Sequence, residues 1–239
     1  MRLVCGLQPV REAIRAHGAA LDKVLVLQMK DAPQLEALAR FAKDQGAHVE
    51  RVSKNVLDAM AKGARHQGAI ALAPELRLSP LAEIARAKDA LVVALDELED
   101  PQNFGAIVRS AVAMGATAVV WPEHHSAPLS PATFRASAGA VEHATLCRVA
   151  SLPEALARLA EAGLEIVGLD ASADQAIDAV DLRRPVALVV GAEGKGLRRS
   201  VKRATKTLAR LPMKGPVASL NASVSAAIAL YEARRQRAQ

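Results

Sequence analysis

Four strongly apolar runs in the second half of the chain limit the folds that it can adopt. They are ALVVAL at 90–95, TAVVW at 117–121, LEIVGL at 164–169 and PVALVVG at 185–191. Strands this apolar need cover on both faces, which is typical of a parallel sheet. Helical patterns separate them, at about 101–114, 153–162 and 198–205. Strands alternating with helices predict an α/β layered domain.

A smaller α/β unit is predicted before residue 75. The strand patterns LDKVLVLQ, AHVERV and QGAIALA alternate with the helix patterns PVREAIRAHG, PQLEALARFAKDQG and KNVLDAMAKG. Pro33 near the start of the second helix and Gly46 after its end follow the usual preference of these residues for helix ends. We therefore predict domains at 1–74 and 90–239, joined by a linker at 75–89.

Composition narrows the classes of partner. A net charge of +6 favours an anionic partner, nucleic acid before membrane, and 2% aromatic residues argue against a base-stacking sheet. No apolar run approaches the ~20 residues of a membrane helix, and no secretory signal is visible. Cys5 and Cys147 lack paired spacing, and the six histidines show no metal-binding pattern. We expect free thiols, no metal and a cytoplasmic protein.

The stretch ALVVGAEGKGLRRS at 187–200 resembles a phosphate loop but matches neither common type. A Walker A loop needs Gly-Lys followed by Ser or Thr, whereas here Lys195 precedes Gly196 and Leu197 stands at the hydroxyl position. The dinucleotide fingerprint G-x-G-x-x-G is also absent from this loop. Two interpretations stay open on these residues: a tight strand-to-helix turn that uses glycine for positive φ, and a loop that binds another ligand.

A second loop follows in LARLPMKGPVASLNASVSAAIALYEARRQ. Ser219, Asn221 and Ser223 are candidate N-caps of the final helix. Its apolar residues Val224, Ala227, Ile228 and Tyr231 recur at helical spacing and predict either core or an interface. Glycine-bearing loops at the carboxyl ends of apolar strands are where open α/β sheets bind ligands. Their free backbone groups suit an adenine and a small zwitterion.

The stretch LDELEDPQNFGAIVRSAVAMGA predicts a helix that presents an arginine. Asp100 is the predicted N-cap. Arg109 lies off the buried stripe, and Gly105 and Ala106 stand one turn before it. Because helical side chains lean toward the N-terminus, we expect its guanidinium to point toward Asn103 and form an oxyanion or phosphate site. A solvated surface arginine is the alternative.

Together these stretches resemble, in order and length, the motifs of the SpoU (TrmH-like) branch of the SPOUT RNA methyltransferases. The motifs are DPQNFGAIVRSA, LVVGAEGKGL and LPMKGPVASLNASVSAAIALYE, with RASAGAVEH between the first two. Upstream, CGLQPVREAI and ARHQGAIALA are similar to the substrate-binding domain of the RlmB-type subgroup. That subgroup methylates the ribose 2′-hydroxyl of a guanosine in large-subunit (23S) ribosomal RNA.

The resemblance implies a C-terminal parallel-sheet α/β domain with a deep trefoil knot and a small N-terminal α/β RNA-binding domain. It also implies S-adenosylmethionine as cofactor, ribosomal RNA as partner and a homodimer through the final helix. The family's catalytic positions carry over to Asn103, Arg109, Glu193, Ser219 and Asn221. Its cofactor-binding positions carry over to Gly191, Gly194, Gly196, Leu211, Met213 and Leu220.

Other interpretations remain open. A transfer-RNA ribose methyltransferase would share the catalytic domain, and a non-catalytic RNA-binding or ribosome-assembly factor would share the fold. A nucleotide hydrolase is disfavoured by the failed Walker match. His66 is either an RNA contact or an exposed loop histidine. A basic cluster after the glycine loop predicts an RNA-backbone surface or a solvated helix face; its members are Lys195, Arg199, Lys202, Arg203 and Lys206.

Overall fold

A computed structural model of the 239-residue chain describes residues 1–216 and 219–238. Val217 and Ala218, inside the third motif, and Gln239, at the end of the predicted second domain, lie outside the described residues. The first elements in chain order are β1 (Arg2–Cys5), α1 (Leu7–His17), β2 (Lys23–Leu27), α2 (Pro33–Asp44), β3 (Val49–Val52), α3 (Lys54–Ala61), β4 (Ala69–Ala73) and α4 (Leu81–Ala85). They are followed by β5 (Leu91–Asp96), α5 (Pro101–Ala113), β6 (Ala118–Pro122), α6 (Pro131–Ala136), β7 (Leu146–Val149), α7 (Leu152–Glu161), β8 (Glu165–Leu169), β9 (Gln175–Ala176), β10 (Val186–Gly191), α8 (Arg199–Ala204), β11 (Thr207–Arg210) and α9 (Ala222–Arg237).

The chain folds into two compact units whose limits differ from the predicted division at residues 74 and 90. The first unit contains residues 1–76 and 129–143, and the second contains 77–128 and the chain from 144 onward. Helix α4, inside the predicted linker, belongs to the second unit. The segment 129–143, which includes the motif RASAGAVEH, belongs to the first unit, although it lies within the predicted second domain at 90–239.

The first unit is an α/β sandwich around a four-stranded sheet in the order β1-β4-β2-β3. Strands β2 and β3 are parallel, and β4 runs antiparallel to β1 and β2. Alternate strand residues such as Val24 and Val26 pack with α1 and α2 on one face. Leu25 and Ile70 pack with Leu57 of α3 on the other face. The predicted small α/β unit is therefore confirmed as an architecture, with helices on both sides of its sheet.

A buried ion cluster explains why 129–143 joins the first unit. The carboxylate of Glu142 is fully buried and accepts hydrogen bonds from Arg2 at 2.7 Å and from the Nε2 of His17 at 2.9 Å. Arg2 also donates to the carbonyl of Pro74 at 2.8 Å. Removing one partner of such a buried pair strands the other charge, which destabilises proteins by about 3–5 kcal/mol. This segment is therefore held firmly against β1 and α1.

The second unit is built on a seven-stranded parallel sheet in the order β7-β6-β5-β10-β8-β11-β9. β5 is buried along its whole length, and β10 is buried up to Gly191, as their apolar sequences predicted. The chain moves outward from β5 to β7 and then returns to the other side of β10. Ligand sites of parallel sheets lie at the carboxyl ends of strands near such a reversal. The predicted parallel α/β class is confirmed; the deep knot stays an expectation of the family fold.

Two further findings concern the membrane and the thiols. Among the helices within 1–216 and 219–238, none is long and apolar enough to cross a membrane. Both cysteines are buried free thiols, as expected, and burial raises the pKa of Cys147 to about 11. A thiol with a raised pKa carries little thiolate and is a poor nucleophile.

Candidate active site

A cavity of about 580 Å³ lies at the carboxyl ends of β8, β10 and β11. Nine of the eleven predicted site residues line it. These are Gly191, Glu193, Gly194, Gly196, Leu211, Met213, Ser219, Leu220 and Asn221. Met213 and Leu220 are each 38% exposed, so the cavity wall offers apolar surface to a ligand. The structure thus brings together all six positions predicted to bind the cofactor.

The glycine loop after β10 folds back tightly on its own strand. The N–H of Gly196 donates to the carbonyl of Ala192 at 2.9 Å. A β-carbon added at Gly191 would lie only 2.3 Å from the carbonyl carbon of Gly196. Beside Gly194 and Gly196, by contrast, nothing lies within 4 Å of a β-carbon position, and both have positive φ. Gly191 therefore permits the loop to pack closely against its own strand, whereas Gly194 and Gly196 face open space in the cavity.

A buried carboxylate braces this loop from the neighbouring strand. Asp96 is 0% exposed and stands in register with Gly191 at the end of β5. It accepts the backbone N–H of Arg198 at 2.8 Å and the Nε of the same residue at 2.7 Å. Arg198 also pairs with Glu97 at 3.1 Å. Because Arg198 lies two residues after Gly196, Asp96 fixes the position of the chain just after the loop.

We predict that Asp96→Asn weakens S-adenosylmethionine binding by about tenfold or more. The change leaves the shape but removes the charge that Arg198 contacts, and a hydrogen bond to a charged group contributes about 1.5–3 kcal/mol. Glu97→Gln is the matched control, since Glu97 makes only one partly exposed contact with Arg198. Calorimetric titration of both variants checks this. Equal affinities in the two variants would contradict the bracing role.

Three of the predicted catalytic residues form one hydrogen-bonded group. The Nδ2 of Asn221 donates to the Oδ1 of Asn103 at 2.9 Å and also to the Glu193 carboxylate. The Oδ1 of Asn221 caps α9 by accepting the N–H of Ser223 at 2.9 Å. Asp100 caps α5 in the same way, accepting the N–H of Asn103 at 3.2 Å. Two helix N-termini therefore converge on a polar cluster beside the cavity.

Two other predicted catalytic residues, Arg109 and Ser219, are not among the described members of this hydrogen-bonded group. Arg109 is exposed on α5 and forms no hydrogen bond or ion pair with any residue in the described ranges, Asn103 included. Its guanidinium therefore remains available to a ligand. Ser219 lines the cavity, but the N-cap of α9 is Asn221.

The basic cluster on and around α8 is partly neutralised. Lys202 forms an ion pair with Asp170, and Lys206 pairs with Glu165 at 3.2 Å. Burial raises the pKa of Asp170, but hydrogen bonds from Lys202 and Ser172 outweigh burial and lower it to about 2. In the described structure Lys195, Arg199 and Arg203 have no acidic partner. Of the five basic residues in this cluster, these three therefore remain available to an RNA backbone.

Sequence reasoning missed the ion pair of Asp170 and Lys202 in the cavity wall. Asp170 and Lys202 both line the cavity, and the available signal was the position of Asp170 directly after a predicted apolar strand. Within residues 1–216 and 219–238, the structure contains no group of three or more His, Cys, Asp or Glu side chains placed to hold a metal ion.

A parallel sheet with a glycine-lined cavity at its switch point, beside two capped helices, defines an α/β enzyme domain that binds a small ligand. Sequence profiles specify it further. The SpoU rRNA methylase family matches residues 90–231, and the RNA 2′-O ribose methyltransferase substrate-binding family matches residues 3–79. The chain therefore belongs to the SpoU rRNA methylase family and is an RNA methyltransferase.

Relatives agree with this assignment. An uncharacterized tRNA/rRNA methyltransferase of Mycolicibacterium vanbaalenii is 40% identical over 98% of this chain and 76% of its own length. The putative TrmH family tRNA/rRNA methyltransferase YacO of Bacillus subtilis is 39% identical over 98% of this chain and 95% of its own. Among solved structures, the SpoU methyltransferase AviRb of Streptomyces viridochromogenes in complex with AdoMet has a TM-score of 0.80 at 27% identity, covering 99% of this chain and 90% of AviRb.

Proposed function

We propose that this protein transfers a methyl group from S-adenosylmethionine to the ribose 2′-hydroxyl of a guanosine in 23S ribosomal RNA. The observation that carries the proposal is the position of Asn221. Its amide links Asn103 and Glu193, and the residue itself lines the cavity at the carboxyl ends of the central strands. A polar group organised for a nucleotide thus adjoins a cavity suited to an adenosine-bearing ligand.

The cavity residues fit S-adenosylmethionine chemically. The loops at 191–196 and 211–220 offer backbone donors and acceptors for an adenine and an amino acid, and Leu211, Met213 and Leu220 offer apolar walls. Mixed apolar walls with a few polar groups are typical of small-molecule sites. When bound, this cofactor supplies a methyl group activated by its sulfonium. The AdoMet complexes of AviRb and of an rRNA methyltransferase from Sinorhizobium meliloti support the assignment.

We propose that Arg109 stabilises the negative charge that develops on the ribose 2′-oxygen during methyl transfer. A guanidinium stays protonated in proteins, since its pKa exceeds about 12, so it donates hydrogen bonds rather than removing a proton. Donors held ready for a developing oxyanion are a large source of rate enhancement. Arg109 has no competing partner among the described residues, which leaves its N–H groups available for the 2′-oxygen or the adjacent RNA phosphate. Asn103 and Glu193 orient the nucleotide, and Ser219 contacts it from the opposite loop.

A direct assay tests the activity. The protein is incubated with tritium-labelled S-adenosylmethionine and with unmodified 23S ribosomal RNA or, separately, bulk transfer RNA. Label in ribosomal RNA, recovered after nuclease digestion as 2′-O-methylguanosine, supports the proposal. Label in transfer RNA alone favours the alternative substrate. Failure of both RNAs, with cofactor binding intact, would favour a non-catalytic RNA-binding factor.

We also propose a homodimer through α5 and α9. The residues Val224, Ile228 and Tyr231 form a stripe along α9 that is 45%, 41% and 59% exposed. With Ala106 and Ser110 of α5 they line a groove of about 430 Å³. The buried stripe of α9 consists instead mostly of alanines, such as Ala226 and Ala229, with Leu230 and Gln236. Of the two roles that the helical spacing left open, exposure favours an interface, and a symmetric dimer pairs the same patch on both copies.

Ile228→Asp is therefore expected to convert the dimer to a monomer. A carboxylate at the centre of an apolar interface loses its hydration without gaining a partner. Size-exclusion chromatography with light scattering gives the mass. Val56→Asp, at a valine of α3 that is 42% exposed, is the matched control and should leave the mass unchanged. A dimeric Ile228→Asp variant would place the interface elsewhere.

A further inference from the structure

A second cavity, of about 590 Å³, lies in the first unit at the loop between α3 and β4. Its wall includes Asp58 near the end of α3 and the loop residues Gly63, Arg65, His66 and Gln67. The sheet face that carries α3 is opposite the face covered by α1 and α2. The wall belongs to the first unit, whereas the cofactor cavity is formed by residues of the second unit alone.

The loop is held in one conformation by His66. The Nδ1 of this histidine accepts the N–H of Gly68 at 3.0 Å, so its proton is on Nε2, which donates to Asp58 at 2.9 Å. This hydrogen bond is the main cause of the lowered pKa of Asp58. The side chain of His66 is only 12% exposed. The sequence left open an RNA contact or an exposed loop histidine, whereas the ring is mostly buried with both nitrogens engaged, so His66 supports the loop instead.

Gln67 adds a second anchor. Its backbone has φ +51, which is uncommon for a residue with a β-carbon. Its side-chain oxygen accepts the N–H of Leu7 at 3.2 Å. That contact uses the oxygen and leaves the amide NH₂ without a hydrogen-bond partner in the described part of the chain. The loop therefore presents a donor from a rigid position.

The charge at the cavity is positive and unpartnered. Lys62 and Arg65 are exposed, and within the described ranges neither forms an ion pair or a side-chain hydrogen bond. The one carboxylate in the wall, Asp58, is already engaged by His66 and by Lys54 at 3.7 Å. The free cation of Arg65 and the free amide of Gln67 in the wall, with a second cation at Lys62 between the wall residues Ala61 and Gly63 in sequence, suit an anionic ligand with a polar ring.

We propose that this cavity holds one unpaired nucleotide of the RNA substrate, with Arg65 and Lys62 on the backbone phosphates and Gln67 on the base. The proposal rests on the RNA methyltransferase activity of the family. Unpaired segments are favoured because a base enters a cavity only when it is out of a helix. The absence of aromatic side chains from the cavity wall favours phosphate and edge contacts over stacking.

The test separates substrate affinity from transfer. Arg65→Ala is compared with Arg40→Ala, which removes the same charge from an exposed position of α2 on the opposite face of the sheet. We expect Arg65→Ala to raise the KM for in vitro transcribed 23S RNA about tenfold, with kcat unchanged, and to reduce the salt dependence of RNA binding by about one phosphate contact. Lys62→Ala should act in the same direction. Arg40→Ala should match the wild type.

Binding measured without turnover keeps this proposal distinct from the catalytic one. Fluorescence anisotropy with a labelled single-stranded RNA, and with its duplex, should show a larger loss for the single strand in Arg65→Ala. This outcome stands even if the wild type methylated another RNA. The proposal is overturned if Arg65→Ala and Arg40→Ala bind alike. It is also overturned if Arg65→Ala binds naked RNA normally but fails on assembled ribosomal particles, which would indicate a protein partner.

Discussion

Arg109→Ala should lower kcat for methyl transfer by about 10²–10³-fold while the affinity for S-adenosylmethionine stays at the wild-type value. The size follows from the loss of one preorganised donor to an oxyanion. The unchanged cofactor affinity follows from position: Arg109 is on α5, whereas the cavity wall is built from the loops after β8, β10 and β11. Single-turnover transfer and calorimetric titration measure the two quantities separately.

Two further variants show what the arginine contributes. Arg109→Lys keeps the charge but loses the planar fork of donors, so its rate should lie between those of the wild type and the alanine variant. Arg158→Ala removes an exposed arginine from α7 in the same unit and should leave kcat unchanged. A near wild-type rate for Arg109→Ala would remove this residue from the reaction. Loss of cofactor binding would instead show that Arg109 is structural.

Sequence patterns predicted the local structure of this site well. The apolar runs identified β5, β6, β8 and β10, because a strand covered on both faces must be apolar along its length. Asp100 was predicted as an N-cap and is one, and Asn221, one of three candidate caps with Ser219 and Ser223, caps α9, because a cap depends on the few residues around it. Each of these features depends only on residues close together in the sequence, so the local sequence is enough to predict it.

What the sequence did not predict depends on residues far apart in the chain. The hydrogen bond from Asn221 to Asn103 joins positions 118 residues apart, and that from Arg198 to Asp96 joins positions 102 apart. The assignment of 129–143 to the first unit depends on the Arg2–Glu142 pair, which spans 140 residues. Edge strand β7 was missed because it has only four residues, and an arginine interrupts its apolar sequence. Contacts between residues so far apart in the chain leave no periodic pattern in the sequence around either residue.

Gly191→Ala is expected to abolish measurable S-adenosylmethionine binding and to lower the melting temperature by about 5–10 °C. The added methyl group would lie 2.3 Å from the carbonyl carbon of Gly196 and 2.6 Å from the nitrogen of Leu197, whereas carbon atoms in contact lie about 3.5–4.0 Å apart. Both neighbours are backbone atoms, so no side chain can rotate away. Leu197 is buried in the core, and the loop must therefore separate from β10.

Gly115→Ala separates this clash from the general effect of replacing a glycine. A methyl group at Gly115 meets nothing within 4 Å, but φ there is +70, which disfavours an L-residue by roughly 1–2 kcal/mol. That variant should melt a few degrees lower and bind the cofactor normally. Thermal unfolding by circular dichroism and calorimetric titration distinguish the two glycines. If Gly191→Ala bound the cofactor like Gly115→Ala, the close return of the loop onto its strand would not be what shapes the cavity. In that case, the expected losses of thermal stability and of cofactor binding in Gly191→Ala would not share one cause, the displacement of this loop from β10.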